Sequence, residues 1–347
     1  MQQRIRVAFD AMGGDFAPQE TVKGAVEAAR GGKVEVLVVG QPDAVQAELA
    51  KYDTAGLPLK LIPSEGAVSE REHPALALRR TPKASIAVTI SLVKQGAADA
   101  AVSMGSTGAT MAASTLLLGT LGGLDRPALG GPFLGLAPKV TFLDLGSNVD
   151  CRPSQLLAFA VLGASFSRFF LGIENPRVAL LSVGSEEEKG NKQVREAFPV
   201  FKESGLNFVG NVEGYDFFTN RADVIVCDGF VGNVLMKFSE GMGAAVVGYL
   251  KKMLAAKAPG LLDGVGSQLV DLTSPAKKHG GPLFGINGAV VVGHGASHSG
   301  EVAGAIGLAQ HMVETKLVDQ MRNELTKFSD VIQRSAKVAG DASAPRA

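Results

Sequence analysis

Residues 4–40 read RIRVAFDAMGGDFAPQETVKGAVEAARGGKVEVLVVG. Arg4 to Asp10 is an apolar run that ends in an acid. Pro18 to Arg30 carries Val22, Ala25, Val26 and Ala29 at helical spacing, behind a proline placed where helices start. Val34 to Gly40 is a second apolar run. Strand, helix, strand is a βαβ unit, and that unit builds a parallel sheet.

The same alternation continues along the chain. Leu59–Pro63, Ala98–Met104, Val140–Leu145, Val178–Val183, Val224–Cys227 and Ala289–Gly293 are further predicted strands. Ser85–Gln95, Ser154–Phe170 and Asn233–Lys257 are predicted helices between them. Continuously apolar strands alternating with helices predict an open α/β/α sandwich. Ligands in such sheets bind beyond the carboxyl ends of the strands, so the residues after each strand are where chemistry is sought. The 347 residues contain no internal repeat. We expect one α/β domain over 1–335, with a helical tip at about 235–285 and a disordered tail over 336–347, AKVAGDASAPRA.

Composition excludes several classes. Lys+Arg and Asp+Glu are both 34, so nothing global favours nucleic acid. Cys151 and Cys227 are the two cysteines and form no CxxC, which disfavours a disulfide scaffold or a thiolate metal site. The N-terminus lacks the apolar core of a signal peptide, and no apolar run is long enough to span a bilayer. A cytoplasmic chain is expected. The 43 glycines cluster at turns, which calls for many tight backbone turns.

The strand ends carry the chemistry. Strand one ends in DAMGGDFAP, Asp10 to Pro18, where Gly13 and Gly14 precede a helix start, a place for an anion. Asp15 as a helix-cap neighbour is the plainer alternative. The strand from Ala98 ends in Gly105-Ser106-Thr107-Gly108, two hydroxyls suited either to phosphate oxygens or to capping a helix. The strand from Val140 ends in DLGSNVD, which includes Asn148 and Asp150. Its neighbour ends in SEEEKGN, where Lys189 and Asn191 either make a solvated surface loop or set a positioned cation at the strand end. Asp228, Gly229 and Asn233 form another such turn. The last strand ends in His294-Gly295-Ala296-Ser297-His298. His294 is read as an acid/base or hydrogen-bonding group, or as a buried histidine satisfied by backbone. A metal pair with His298 is disfavoured by the missing HExxH. Cys227 reads as a core residue. Cys151 opens a helix without an evident partner. Together the turns describe a polar crevice for an anion such as phosphate, with no Walker motif, carboxylate pair or nucleophile triad.

DAMGGDFAP at 10–18, GSTGA at 105–109, DLGSNVDCRP at 144–153, NVEGYDFF at 211–218, VCDGFVGN at 226–233 and GGPLFGINGAVVVGHGAS at 280–297 resemble the bacterial acyl-ACP:phosphate acyltransferases, the PlsX family. ALRR at 77–80 and EEEKGN at 186–191 are similar as well, and the likeness spans about residues 4 to 332. The resemblance implies a Rossmann-like α/β/α sandwich related to phosphotransacetylases and isopropylmalate dehydrogenases, with a protruding helical segment. It implies that acyl-ACP and inorganic phosphate give acyl phosphate and free acyl carrier protein, which feeds phospholipid synthesis. It also implies a homodimer peripheral to the membrane, contact with a glycerol-3-phosphate acyltransferase, and no cofactor. Arg79 and Arg80 come into the substrate set through ALRR.

The chemistry of the residues agrees with that reading. Phosphate is nucleophilic and a thioester has a good leaving group, so the protein must chiefly hold the reactants and stabilise an oxyanion. Amides at Gly13, Gly14, Ser106 and Thr107 suit this, with Asp10, Asp15, Asn148, Asp150, Asn191, Asp228 and Ser297 around them. Lys189, Asn233 and His294 are the catalytic candidates, His294 as the proton carrier. Two other readings stay open: an NAD-dependent decarboxylating dehydrogenase of related fold, and a non-catalytic scaffold for carrier protein or membrane. The helix from Asn233 places Met242, Val246, Val247, Leu250, Met253 and Leu254 on one face, flanked by Lys251, Lys252 and Lys257. That face would meet lipid or a partner subunit.

Overall fold

In a computed structural model, β1 spans Ile5–Asp10, α1 Gln19–Arg30, β2 Val34–Gly40, α2 Pro42–Leu49, β3 Leu59–Pro63, α3 Pro74–Arg80, α4 Ser85–Lys94, β4 Ala100–Ser103 and α5 Thr107–Leu117. There follow β5 Ala128–Gly131, β6 Thr141–Leu143, α6 Pro153–Phe169, β7 Val178–Leu181, α7 Lys192–Lys202, β8 Phe208–Val212, β9 Val224–Val226 and α8 Gly229–Leu254. The chain closes with β10 Gly281–Phe284, β11 Ala289–Val292, α9 Ser299–Glu314, α10 Leu317–Lys327 and α11 Ser329–Asp341. The structure describes residues 4–68, 72–254, 266, 272–273 and 280–341.

Within the span read from sequence as a single domain, the chain forms two compact units. Unit 1 comprises residues 1–121 and 276–318, and unit 2 residues 122–275 and 319–347. In unit 1 the strands run in the order β3-β2-β1-β4-β11-β10. The pairs among the first five are parallel, and β10 runs antiparallel to β11. α1 and α9 pack on each other, while α4 and α5 pack on each other as a second pair, and both pairs touch the sheet. The central strands are buried on both faces: Val7, Ala8 and Phe9 of β1 are fully covered, as are Val290 and Val291 of β11. That is why they read as unbroken apolar runs rather than alternating ones.

Unit 2 orders its strands β5-β6-β9-β7-β8, with β5 antiparallel to β6 and the remaining pairs parallel. α6 packs on β6, β9 and α7, with α11 against it. Phe142 of β6 stacks edge-on with both Phe133 and Phe217 in the core.

Each unit ties the starts of two neighbouring parallel strands with the same clamp. In unit 1 the Arg6 guanidinium donates to Asp99 at 2.7 and 3.2 Å, and the Arg6 amide donates to the same carboxylate at 2.8 Å. In unit 2 Arg177 donates to Asp223 at 2.9 Å through both Nε and Nη2, and through its amide at 2.8 Å. Both clamps sit at the amino ends of the strands, away from the polar turns.

The expected tail begins inside a helix, because α11 continues to Asp341; residues 342–347 lie outside the described ones. Much of the expected tip, including Lys257, is also outside them. The helix predicted from Asn233 starts four residues earlier, at Gly229. Its apolar residues do not share one face. Val247 is buried and Leu250 and Leu254 are half-buried, whereas Phe230, Val234, Phe238, Met242, Val246, Tyr249 and Met253 form an exposed stripe.

Candidate active site

In unit 1 the turns after β1 and β4 are built as one piece around Asp10. Its carboxyl is buried, accepts from Ser103 Oγ at 2.8 Å and from the Met12 amide at 3.2 Å. Ser103 Oγ in turn accepts the Gly105 amide at 3.0 Å. Burial pushes the Asp10 carboxyl up from its ordinary range, against the pull of these hydrogen bonds and of one from the Gly13 amide. Asp10 and the Gly13 amide are therefore committed to the turn itself. Gly13 must be glycine: a Cβ there would lie 2.7 Å from the Gly105 nitrogen.

What remains open to a ligand is narrower than the set read off the sequence. The Gly14, Ser106 and Thr107 amides have no hydrogen-bond partner among the described residues. Ser106 caps α5, accepting from Ala109 at 3.3 Å, while the exposed Thr107 hydroxyl has no partner there. Three free amides and a hydroxyl near a helix N-terminus are donors of the kind that suit an anion.

His294 is exposed, not buried, and its Nδ1 accepts the Ala296 amide at 3.2 Å, which leaves Nε2 as the outward nitrogen. His298 is engaged elsewhere: its ring stacks on Phe16 at 4.7 Å, and its Nδ1 lies 3.6 Å from Glu20. Asp15 is exposed and its amide donates to the Gly295 carbonyl at 2.7 Å. Ser297 Oγ is buried without a hydrogen-bond partner among the described residues. Arg79 and Arg80 are exposed on α3; Arg80 pairs with Glu72 at 2.6 Å, and Arg79 has no such partner among the described residues.

Unit 2 repeats the device of a buried aspartate at a strand end, in a residue that the sequence reading passed over. Asp144 is fully buried and accepts the amides of Gly146, Ser147 and Asn148 at 3.1, 3.0 and 2.7 Å, and Asn148 Nδ2 at 2.8 Å. Burial raises its pKa, opposed by those donors. Asn148 is buried and gives its second amide hydrogen to Pro127 O at 2.9 Å, so it braces the turn. Asp150, from the same motif, is exposed. The start of α8 lies directly on this turn: a Cβ at Gly232 would come within 1.9 Å of the Asp144 carbonyl oxygen, and Asn233 packs against Gly146. Asp228 caps α8 by accepting the Val231 amide at 2.9 Å, and its other oxygen accepts Gln193 Nε2 at 3.3 Å.

Lys189 stands exposed at the end of β7, with no ion pair among the described residues. Its neighbour Asn191 caps α7, accepting the Val194 amide at 2.9 Å. Both thiols are buried, in surroundings that disfavour the thiolate. Burial and the nearby Asp144 and Asp228 push the Cys151 thiol up to about 12, and Cys227 is held well above its usual value by the same causes.

A family model described as "Fatty acid synthesis protein" matches residues 5–320. Curated relatives include the phosphate acyltransferase of Desulforudis audaxviator, 42% identical over 340 residues, covering 96% of this chain and 99% of that protein. That of Heliobacterium modesticaldum is 43% identical over 332 residues, covering 92% and 98%. Among solved structures, a phosphotransacetylase from Streptococcus pyogenes superposes with a TM-score of 0.63 at 18% identity, covering 90% of this chain and 95% of that one. A branched-chain phosphotransacylase from Enterococcus faecalis gives 0.52 at 17%, covering 89% and 99%. At such identities these two structures speak to the fold, which is the Rossmann-like α/β/α type expected.

Proposed function

Because the chain belongs to the phosphate acyltransferase family, we propose that it moves the acyl group of a long-chain acyl-ACP onto inorganic phosphate, an early step toward phospholipid. Membership in a transferase family sets aside the dehydrogenase and scaffold alternatives. The reaction proceeds by direct attack. A phosphate oxygen bonds to the thioester carbonyl carbon, the carbon–sulfur bond breaks, and the thiolate leaves on the carrier's prosthetic arm.

The observation that carries this mechanism is the burial of the two thiols. A covalent acyl-cysteine route needs an accessible thiolate, and Cys151 and Cys227 are both buried in surroundings that disfavour the charged form. Phosphate needs no such activation. In this reading the open amides of Gly14, Ser106 and Thr107 hold phosphate oxygens. Lys189 and Asn233, in unit 2, stay as the catalytic candidates, a cation and an amide of the kind that suits oxyanion charge. The outward nitrogen of His294 exchanges the proton between phosphate and the departing sulfur. Asp15, Arg79, Asp150 and Ser297 stay as candidate substrate contacts.

The same reading includes a homodimer, peripheral attachment to the cytoplasmic membrane surface, and hand-over of acyl phosphate to a glycerol-3-phosphate acyltransferase. The exposed stripe on α8 supports a covered surface there. No helix among the described residues is long and apolar enough to cross a membrane.

Release of free carrier thiol from long-chain acyl-ACP, followed with and without phosphate, tests the reaction. Phosphate-dependent release is expected, and Cys151→Ser should retain it. Release that is independent of phosphate, or that vanishes in a folded Cys151→Ser protein, would sink direct attack.

A further inference from the structure

We propose that Asn211 is a positioning residue for Lys189, fixing the turn that presents this ammonium group. The inference rests on the reading of Lys189 as the cation of the reaction.

Asn211 belongs to β8 and opens the NVEGYDFF stretch, whose Phe217 packs in the core. Its side chain is fully buried. Its Nδ2 donates to the Glu186 carbonyl oxygen at 2.8 Å. The same oxygen accepts the Lys189 amide at 3.1 Å, the bond that closes the turn 186–189. One carbonyl thus joins the buried strand to the residue that carries the cation. The stem of Lys189 lies over Gly184, whose added Cβ would sit 2.8 Å from Lys189 Cγ.

Among the described residues, no other buried side chain is hydrogen-bonded to this turn. On its outer side Glu187 meets Lys202 at 3.1 Å, with both side chains more than half exposed, so solvent weakens that tie. Beyond the turn, Arg195 Nη1 donates to the Gly190 carbonyl at 2.8 Å. Three consecutive glutamates, Glu186 to Glu188, pull the lysine toward nonproductive pairing on the surface. A neutral amide beneath the turn opposes this without adding charge.

The other half of the Asn211 amide makes the case chemical rather than architectural. Its Oδ1 is buried and has no hydrogen-bond partner among the described residues. A buried polar atom without a partner is costly, and an apolar residue of the same shape would avoid that cost. The side chain is kept for its donor, and among the described residues that donor serves the Glu186 carbonyl.

The test is a double-mutant cycle on phosphate-dependent thiol release, with Asn211→Asp, Lys189→Ala and the pair. Asn211→Asp keeps the shape and turns a donor into an acceptor facing the carbonyl. We expect kcat/KM to fall about 10- to 100-fold in the wild-type background, as for a misplaced catalytic group. In the Lys189→Ala background the same change should alter kcat/KM less than about twofold, since residues acting as one unit are not additive. An equal loss in both backgrounds makes Asn211 merely structural and overturns the proposal, as does no loss in either. If Asn211→Asp does not fold, Asn211→Leu is read in the same cycle with the same two outcomes. If Lys189→Ala by itself leaves turnover intact, the reading of Lys189 fails first, and that single variant reveals it.

Discussion

Ser106 and Thr107 are adjacent hydroxyls with separate duties. Ser106 spends its oxygen on the cap of α5, and Thr107 points its own outward. Thr107→Val keeps the shape and removes the free hydroxyl. A hydrogen bond to a charged group contributes about 1.5–3 kcal/mol, so the phosphate KM should rise by roughly 10- to 150-fold with an unchanged melting temperature. An unaltered KM would remove Thr107 from the proposed phosphate contacts. At this scale the sequence showed which turns mattered but not which atoms were free. Asp10 and Asn148 read as ligand-facing groups, yet both are buried and brace their own turns. Asp144 went unread for the same reason. Whether an acid at a strand end turns inward depends on pairing with the neighbouring strand, and that is set far away in the chain. A usable signal existed: Asp followed at once by Gly-rich turns occurs after both β1 and β6, and a carboxylate there can gather the turn's own amides.

At the scale of elements, α8 is held against the turn after β6 by glycines. Gly232→Ala places a methyl 1.9 Å from the Asp144 carbonyl oxygen, so helix or turn must shift. A cost of about 1–3 kcal/mol is expected, read as a lower denaturant midpoint, together with lost turnover because Asn233 moves with the helix. A stable, fully active variant would show that this junction yields easily. Farther along α8, Phe238→Glu with Met242→Glu tests the exposed stripe. Loss of binding to anionic vesicles by a still dimeric, active protein assigns the stripe to lipid, whereas dissociation to monomers assigns it to a second copy. The strands with long apolar runs were legible within a residue or two. β5, β8 and β10 were not, because ALGG, FVGNV and GPLF are short and carry glycine or proline, and two of them pair antiparallel. The stripe was misplaced by helical phase: Val247 turns inward toward Gly266, and Gly243 toward Thr273, contacts with later chain that no local pattern announces.

For the whole molecule, the paired Arg–Asp clamps govern acid behaviour. Burial alone would raise Asp99 and Asp223, but the hydrogen bonds from Arg6 and Arg177 outweigh it and hold both carboxyls below their usual range. A depressed folded-state pKa gives stability that is present above the ordinary carboxylate pKa of about 3.9 and lost as pH falls through the lower folded value. Asp223→Asn should therefore destabilise the protein clearly at pH 7 and much less near pH 3, by chemical denaturation at both. A penalty of equal size at both pH values would deny the clamp this role. The α/β class and the family were legible because parallel strands and glycine turns leave strong local marks. The division into two units was not, since it depends on residues 276–318 returning to unit 1. The stripe on α8 has an optical consequence as well. The chain has no tryptophan and three tyrosines, and Tyr249 lies on the stripe itself. Phe238→Trp would make that surface the sole indole emitter of the molecule. Its emission would report in real time, by colour alone, when water leaves the stripe and whatever covers it arrives.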